Sequence, residues 1–315
     1  MNRAGAVALS LLAAPLNFHI LKTLESEPKA LLDLRRAVGS PPQSTMRLYS
    51  RTLTEEGIID RRRRTEFPGS AEYMITDAGR DLLSVASILQ DWLQVAPEEP
   101  IQLGSPASKS ATKALVEGWS TNIIRALAAR PLSLTELNRL IPKVSYPSLE
   151  RRLGAMRLAG LVEPHPGDGR GTPYAATEWL RRAVVPIASA AGWERQYRPK
   201  DSTPIGRLGV EAAFLLAVPL LELPADFGGR CRFAVEVQGG SSPIYAGVLV
   251  RFDGGKVISC SSRLEGEVDG WAVGSPEAWL RRIEGNDRAS LEVGGDGAMV
   301  ESILESLQAV ARIPA

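Results

Sequence analysis

Arg61–Arg64 places four guanidinium groups in a row, just beyond a segment in which Met46, Ser50 and Leu53 recur at the i, i+4, i+7 spacing of a helix. Guanidinium is a planar fork of donors that matches phosphate oxygens. The reverse face of the same helix carries Ser44, Arg47, Leu48 and Arg51. Arginine can grip the guanine edge in the major groove, and serine can bond to either kind of base edge. Gly57 stops the helix and Ile58-Ile59 begins a strand. The stretch Phe67-Pro68-Gly69-Ser70 turns the chain, and Tyr73–Thr76 returns it. The chemistry on offer is noncovalent: a helix face that reads bases and a hairpin that rests on phosphates, in winged helix-turn-helix order. Alternate strand positions face opposite ways, so about two of Arg61, Arg62, Arg63 and Arg64 can face DNA together.

Other elements must hold that helix in place. Phe18–Leu24 and Leu31–Val38 have helical periodicity, and Gly39-Ser40-Pro41-Pro42 forms the turn before the arginine-bearing helix. After the hairpin, Asp77–Trp92 is a long amphipathic helix, followed by a Pro-, Ser- and Ala-rich linker. The whole pattern then returns. Ile20, Leu24, Leu31, Leu34, Met46, Leu53 and Gly57 recur 103 residues later as Ile123, Leu127, Leu134, Leu137, Leu149, Met156 and Gly160. Tyr73, Thr76 and Trp92 recur 101 residues later as Tyr174, Thr177 and Trp193, so only the hairpin tip changes length. A register held this well marks a duplicated fold unit. The second copy is poorer in readers. Arg47 becomes Glu150, Arg51 becomes Gly154, and Arg151 and Arg170 are the basic groups left on its helix face and hairpin tip.

The segment FPGSAEYMITDAGRDL, after EEGIIDR, resembles the wing and following helix of the HxlR family of bacterial winged-helix repressors. The resemblance spans about residues 10–95 and, more loosely, 115–197. It implies a cytoplasmic transcription regulator acting on double-stranded DNA, in a family whose members work as homodimers. Two copies in one chain imply a joined pseudo-dimer, with Trp92 and Trp193 near its pseudo-twofold axis. Pairing of whole chains into a homodimer stays open.

Behind a second linker the character changes. Val210–Leu221 is almost wholly apolar; Arg232–Gln238 and Tyr245–Phe252 alternate as strands; Asp253-Gly254-Gly255 signals a hairpin. Gly270–Val273 and Arg288–Val293 read as strands, Pro276–Ile283 and Gly297–Ala311 as helices. The runs GWAVGSPEAWLRRIEG and ASLEVGGDGAMVESILESL resemble the sterol-carrier-protein-like fold over about residues 207–313. That resemblance implies an apolar small-molecule ligand, held by Phe214, Leu215, Val218, Trp271 and Trp279.

Composition sets outer limits. Net charge is +1, too small to argue for nucleic acid by itself. The charge is uneven, though: residues 1–109 hold 13 basic and 13 acidic side chains, residues 110–200 hold 14 and 7, and residues 201–315 hold 10 and 16. The surplus in the middle (Arg125, Arg130, Arg181, Arg182, Arg195 and Arg198 among it) can serve phosphate or the acidic final third. Ala4–Ala14 has the look of a secretion signal but runs on into the first domain, and reads as an apolar helix for an interface. No stretch is long enough for a membrane span. Cys231 and Cys260 read as reduced packing thiols. His19 and His165 lack neighbours at ligand spacing, so no metal is expected. No nucleotide, phosphate-loop or nucleophile motif stands out, so neither a cofactor nor catalysis is expected.

The expected architecture is multidomain: two winged helix-turn-helix domains in tandem, mainly α with small β wings, then an α+β sterol-carrier-like domain. The boundaries are residues 1–97, a linker at 98–112, residues 113–198, a linker at 199–206, and residues 207–315. The expected function is ligand-responsive transcription regulation. The alternative is a carrier or sequestering protein for a lipid or natural product, with the winged pair as scaffold.

Overall fold

The computed structural model describes residues 5–63, 71–116, 120–166, 171–198, 206–237, 244–284 and 291–311. Two compact units emerge. One contains Gly5–Lys113 and Ser189–Ser202; the other is built on Ala114–Ala188 and Thr203–Ala315.

The first unit opens with α1 (Ala6–Leu12) and α2 (Pro15–Ser26), then β1 (Lys29–Ala30), α3 (Leu31–Ala37) and α4 (Gln43–Glu55). Next come β2 (Ile59–Arg63), β3 (Ala71–Ile75) and the long α5 (Asp77–Gln94). A small antiparallel sheet runs in the order β1-β3-β2. Gly57, at φ +71°, ends α4 in the left-handed conformation that side chains avoid. Ile58 then donates back to Leu53 O at 2.9 Å and leads into β2. Thr76 clasps the next corner. Its hydroxyl accepts from Gly79 N–H at 3.1 Å and stands 2.8 Å from the carbonyls of both Gly57 and Ile58. Gly79 permits that closeness, because a Cβ there would lie 2.3 Å from Ile58 O and 2.6 Å from Ile75 Cγ1.

Residues 120–197, most of them in the second unit, repeat this order. After α6 (Pro106–Val116) come α7 (Ser120–Ala129), β4 (Leu132–Ser133), α8 (Leu134–Leu140) and α9 (Tyr146–Leu158). These are followed by β5 (Val162–Pro164), β6 (Pro173–Ala176), α10 (Glu178–Arg182) and α11 (Val184–Tyr197). The sheet order β4-β6-β5 matches the first. Helices α4 and α9 superpose in sequence at an offset of 103 from first residue to last. The corner recurs too: Gly160 has φ +73°, and Thr177 accepts from Leu180 N–H while lying 3.0 Å from the carbonyls of Gly160 and Leu161.

The remainder of this unit is α+β. It comprises α12 (Arg207–Ala217), β7 (Gly229–Val237), β8 (Ile244–Asp253), β9 (Lys256–Ser261), β10 (Gly270–Gly274), α13 (Pro276–Glu284), β11 (Glu292–Gly295) and α14 (Gly297–Ala311). The five strands lie in the order β11-β10-β7-β8-β9, with β10 parallel to β7 and the other pairs antiparallel. Helix α13 begins at Pro276, as expected, and Ser275 Oγ just before it accepts from Ala278 N–H at 3.1 Å. Cys231 and Cys260 both lie opposite Val250, on the two strands flanking it. Two strand spacings, roughly 9–10 Å, are too far for a disulfide, and burial pushes both thiols up to about 12.

Two details differ from the sequence reading. The linker expected at 98–112 becomes helical at Pro106, where Ala111, Ala114 and Leu115 form a buried i, i+3, i+4 stripe among small polar residues. Residues 189–198, placed by sequence in the second copy, pack with the first unit. There Trp193 Nε1 donates to Ala78 O at 2.8 Å, and Tyr197 bonds Asp81 at 2.5 Å. Both Trp92 and Trp193 are buried. The second linker, 199–206, falls outside the described residues apart from Gly206.

The apolar N-terminal helix is also used here. Ala8, Leu9 and Leu12 are fully buried, and the first amides of α1 converge on buried Glu194. Its carboxylate accepts from Gly5, Val7 and Ala8 at 2.8, 2.6 and 3.0 Å. Among the described residues no single helix is long and apolar enough to cross a membrane.

Both the tight corner and the buried acid can be tested through stability. Gly79→Ala should cost about 1–3 kcal/mol by overpacking, read as a lower urea midpoint. Burial outweighs the three donors and raises the Glu194 pKa above its ordinary 4.5. The folded protein therefore holds that proton to higher pH than the unfolded chain, so stability from this group is greatest in acid and falls as pH rises through the raised value. Urea titrations from about pH 4.5 to neutrality should show wild type losing ground to Glu194→Gln; the opposite trend refutes this.

Candidate nucleic-acid interface

Helix α4 is amphipathic in the sense its spacing requires. Met46, Ser50 and Leu53 are buried, while Ser44, Arg47, Leu48 and Arg51 are exposed. Arg47 bonds no described residue. Arg51 is steered along the helix by Glu55, whose Oε1 accepts from Arg51 Nε at 2.6 Å. That hydrogen bond first, and charge second, push the Arg51 pKa above its ordinary value. Arg47 is thus free to meet a base, whereas Arg51 must first leave Glu55. An exposed pair of this kind contributes little to stability and yields readily to phosphate or guanine.

The hairpin sorts its arginines by face. Arg61, Arg62 and Arg63 are all exposed on β2. Arg62 stands opposite Glu72, and its Nε lies 3.3 Å from Asp60 Oδ2. Arg61 and Arg63 point to the other side, opposite Tyr73 and Ala71; Lys29 is the next register partner, and none of these is a carboxylate. Of the basic run, Arg61 and Arg63 therefore form the uncompensated pair among the described residues. Arg64 lies outside them.

The matching surface on the second repeat is different. On α9, Glu150, Arg151, Gly154, Ala155 and Leu158 are exposed, Leu158 to 90%. Where α4 has the Arg51–Glu55 pair, α9 has Gly154 and Leu158. Strand β5 is short and ends in Glu163-Pro164; Arg170 lies outside the described residues. The surplus arginines of this segment are spent elsewhere. Arg125 pairs with Glu211, and Arg181 Nη1 donates to Leu215 O at 3.0 Å. Arg130 and Arg182 pair locally with Glu136 and Glu178, and Arg198 pairs with Glu56.

The side chains expected to hold an apolar ligand are arranged as follows. Phe214, Leu215, Val218 and Trp279 are buried, and Trp271 is half-buried. Phe214 meets Trp279 edge-on at 5.1 Å between ring centres and stacks on Phe233 at 6.3 Å. Trp279 Nε1 donates to Ala234 O at 2.8 Å. Phe214, Phe233 and Trp279 pack against one another as one ring cluster. Trp271 stands apart on β10, its indole ring over Gly294. Sequence reasoning missed Phe233, which alternation alone marks as inward-facing, and Glu211, which looked like one more polar residue at the start of an apolar helix.

Residues 14–99 match the family model described as HxlR-like helix-turn-helix. The match takes in α2 through α5, hence both the exposed face of α4 and the basic hairpin. No curated protein sequence matches the chain. The domain supports DNA-binding transcription regulation.

The face argument makes a sharp test. Replacing Arg61 and Arg63 together by Ala should lower the salt slope of duplex binding by about 0.9 for each phosphate no longer neutralised. Arg62→Ala should lower it less, and equal slopes for all three positions would refute the sorting. Arg47→Ala should cost about 1–3 kcal/mol and relax sequence preference if it meets a base; uniform weakening on unrelated duplexes would show that it touches phosphate alone.

Proposed function

We propose that the HxlR-like domain at residues 14–99 is the reading head of a ligand-responsive transcription regulator. The observation that carries this is the pairing of one exposed helix face, Ser44, Arg47 and Arg51, with a hairpin whose Arg61 and Arg63 lack a carboxylate partner among the described residues. Such a surface offers base-edge donors and phosphate donors side by side.

In this reading the second repeat is another winged helix-turn-helix, and the tandem is a pseudo-dimer in a single chain. Supporting this are the offset of its elements, 103 residues before the hairpin tip and 101 after it, the equal sheet order and the recurring Thr–Gly corner. The second repeat keeps the scaffold and has lost most of the reader. Glu150 faces outward where Arg47 stands in the first repeat, and a carboxylate there repels phosphate unless it accepts from a cytosine amine.

The C-terminal α+β part, in the same reading, is a sterol-carrier-like sensor whose apolar site lies among Phe214, Leu215, Val218 and Trp279, with Trp271 at the opposite sheet face. A ligand that parts those rings changes DNA affinity only by its differential affinity for the DNA-competent state. Helix α11 has residues in both compact units and is the element through which that difference can pass.

The deciding experiment is duplex selection with the full chain, followed by a salt titration on the enriched sequence. Salt-steep binding of a specific duplex supports the regulator. Binding that is absent at low salt overturns it in favour of a carrier. Glu150→Ala separates the two repeats: a blunted second reader predicts equal or tighter binding, whereas a loss of about 1–3 kcal/mol would make Glu150 a live reader of bases.

A further inference from the structure

Where β7 begins and β8 ends, Arg230, Arg251, Asp253, Glu267 and Asp269 surround an open cavity of about 670 Å³. That volume falls within the range of small-molecule sites. Arg230 and Arg251 are direct cross-strand partners, and both are exposed. Like charges directly opposite each other weaken a sheet. A neighbouring carboxylate normally relieves such a pair, yet neither guanidinium bonds a described residue although three carboxylates share the cavity. Asp269 is committed to the backbone: its Oδ2 accepts from Arg230 N–H at 2.7 Å, and its own amide donates to Arg230 O at 2.9 Å.

We propose that Arg230 and Arg251 form a binding site for the oxyanion end, carboxylate or phosphate, of a small molecule. Two arginines set opposite each other across a strand pair can both direct N–H donors to one oxyanion, which arginine binds strongly through its planar fork. An anion held between them also offsets the repulsion of two arginines placed directly opposite each other. Asp253 and Glu267 set the selectivity. They repel a polyanion such as a DNA backbone and accept from hydroxyl or ammonium groups at the ligand's other end. Arg230 and Phe233 stand on opposite faces of β7 by strand alternation, so the site is distinct from the packed ring cluster. This inference goes beyond the regulator reading and stands whether or not the chain binds a duplex.

The test uses the full chain, titrated with inorganic phosphate and separately with sodium acetate. The readouts are the arginine side-chain N–H resonances and the thermal midpoint. Saturable shifts confined to Arg230 and Arg251, with a rising midpoint, are expected from at least one anion, and the tighter one identifies the headgroup. Arg230→Gln and Arg251→Gln should each weaken that anion roughly tenfold. Neither should lower the midpoint without anion, since the like-charge repulsion is gone. Arg251→Lys keeps the charge but loses the fork, so it should weaken binding too even where a Gln variant fails to fold. Unsaturable shifts spread over Arg47, Arg61 and the other surface arginines would mean ionic screening and overturn the site, as would unchanged affinity in the variants. Loss of duplex affinity in the Gln variants would assign the pair to DNA phosphate and equally overturn it.

Discussion

The second compact unit is organised around one fully buried carboxylate. Glu211, on α12, pairs with Arg125 of α7 and with Arg207 one helical turn away. A buried carboxylate without partners costs several kcal/mol, and removing one partner of such a group is strongly destabilising. Arg125 also reaches Ser262 at 3.5 Å, and Arg181 adds a link to Leu215 O beside it. The ion group therefore fixes the start of the C-terminal α+β part against the second repeat, and it specifies register more than it adds net stability. It also uses part of the basic surplus of the middle segment: Arg125 and Arg181 are turned toward the α+β part, where they answer buried or backbone acceptors.

The two segments with the same element order, 15–94 and 120–197, share some features and differ in others. Backbone corners persist: the left-handed glycine, the threonine between helix and hairpin, and the three-stranded order are the same in both. The outward side chains differ at almost every reading position. Corners are held by hydrogen bonds that cost free energy when left unmade, whereas an exposed Arg47 or Gly154 contributes little to stability. Surface chemistry can therefore drift while the frame stays.

The face of α4 was legible in the sequence because three buried positions at helical spacing leave only one side for Ser44, Arg47 and Arg51. The two strands of the hairpin, the start of α13 and most elements of the α+β part followed from alternation and turn residues; the final strand, expected at Arg288–Val293, lies at Glu292–Gly295, and the hairpin turn at Phe67–Ser70 falls outside the described residues. Helix α6 was not legible, since its buried stripe is made largely of alanines inside a run composed like a linker. The sorting of Arg61 and Arg63 from Arg62 needed the strand register, and the choice of Asp60 as partner needed coordinates. Glu194 and Glu211 were opaque for a plainer reason: their partners lie 186 to 189 and 86 residues away, and no local pattern encodes such distances. Arg230 and Arg251 came together only through hairpin pairing.

The first unit is not a continuous stretch of chain. Glu194 caps the amides of α1, Trp193 answers the Ala78 carbonyl, Tyr197 meets Asp81, and Arg198 meets Glu56. All four belong to a segment made roughly eighty residues after Lys113, on the order of four to sixteen seconds later at common rates of synthesis. The first unit must therefore wait, incompletely closed, until residues 189–198 have left the ribosome. A gene fragment stopping before residue 189 would strand it in that unfinished form.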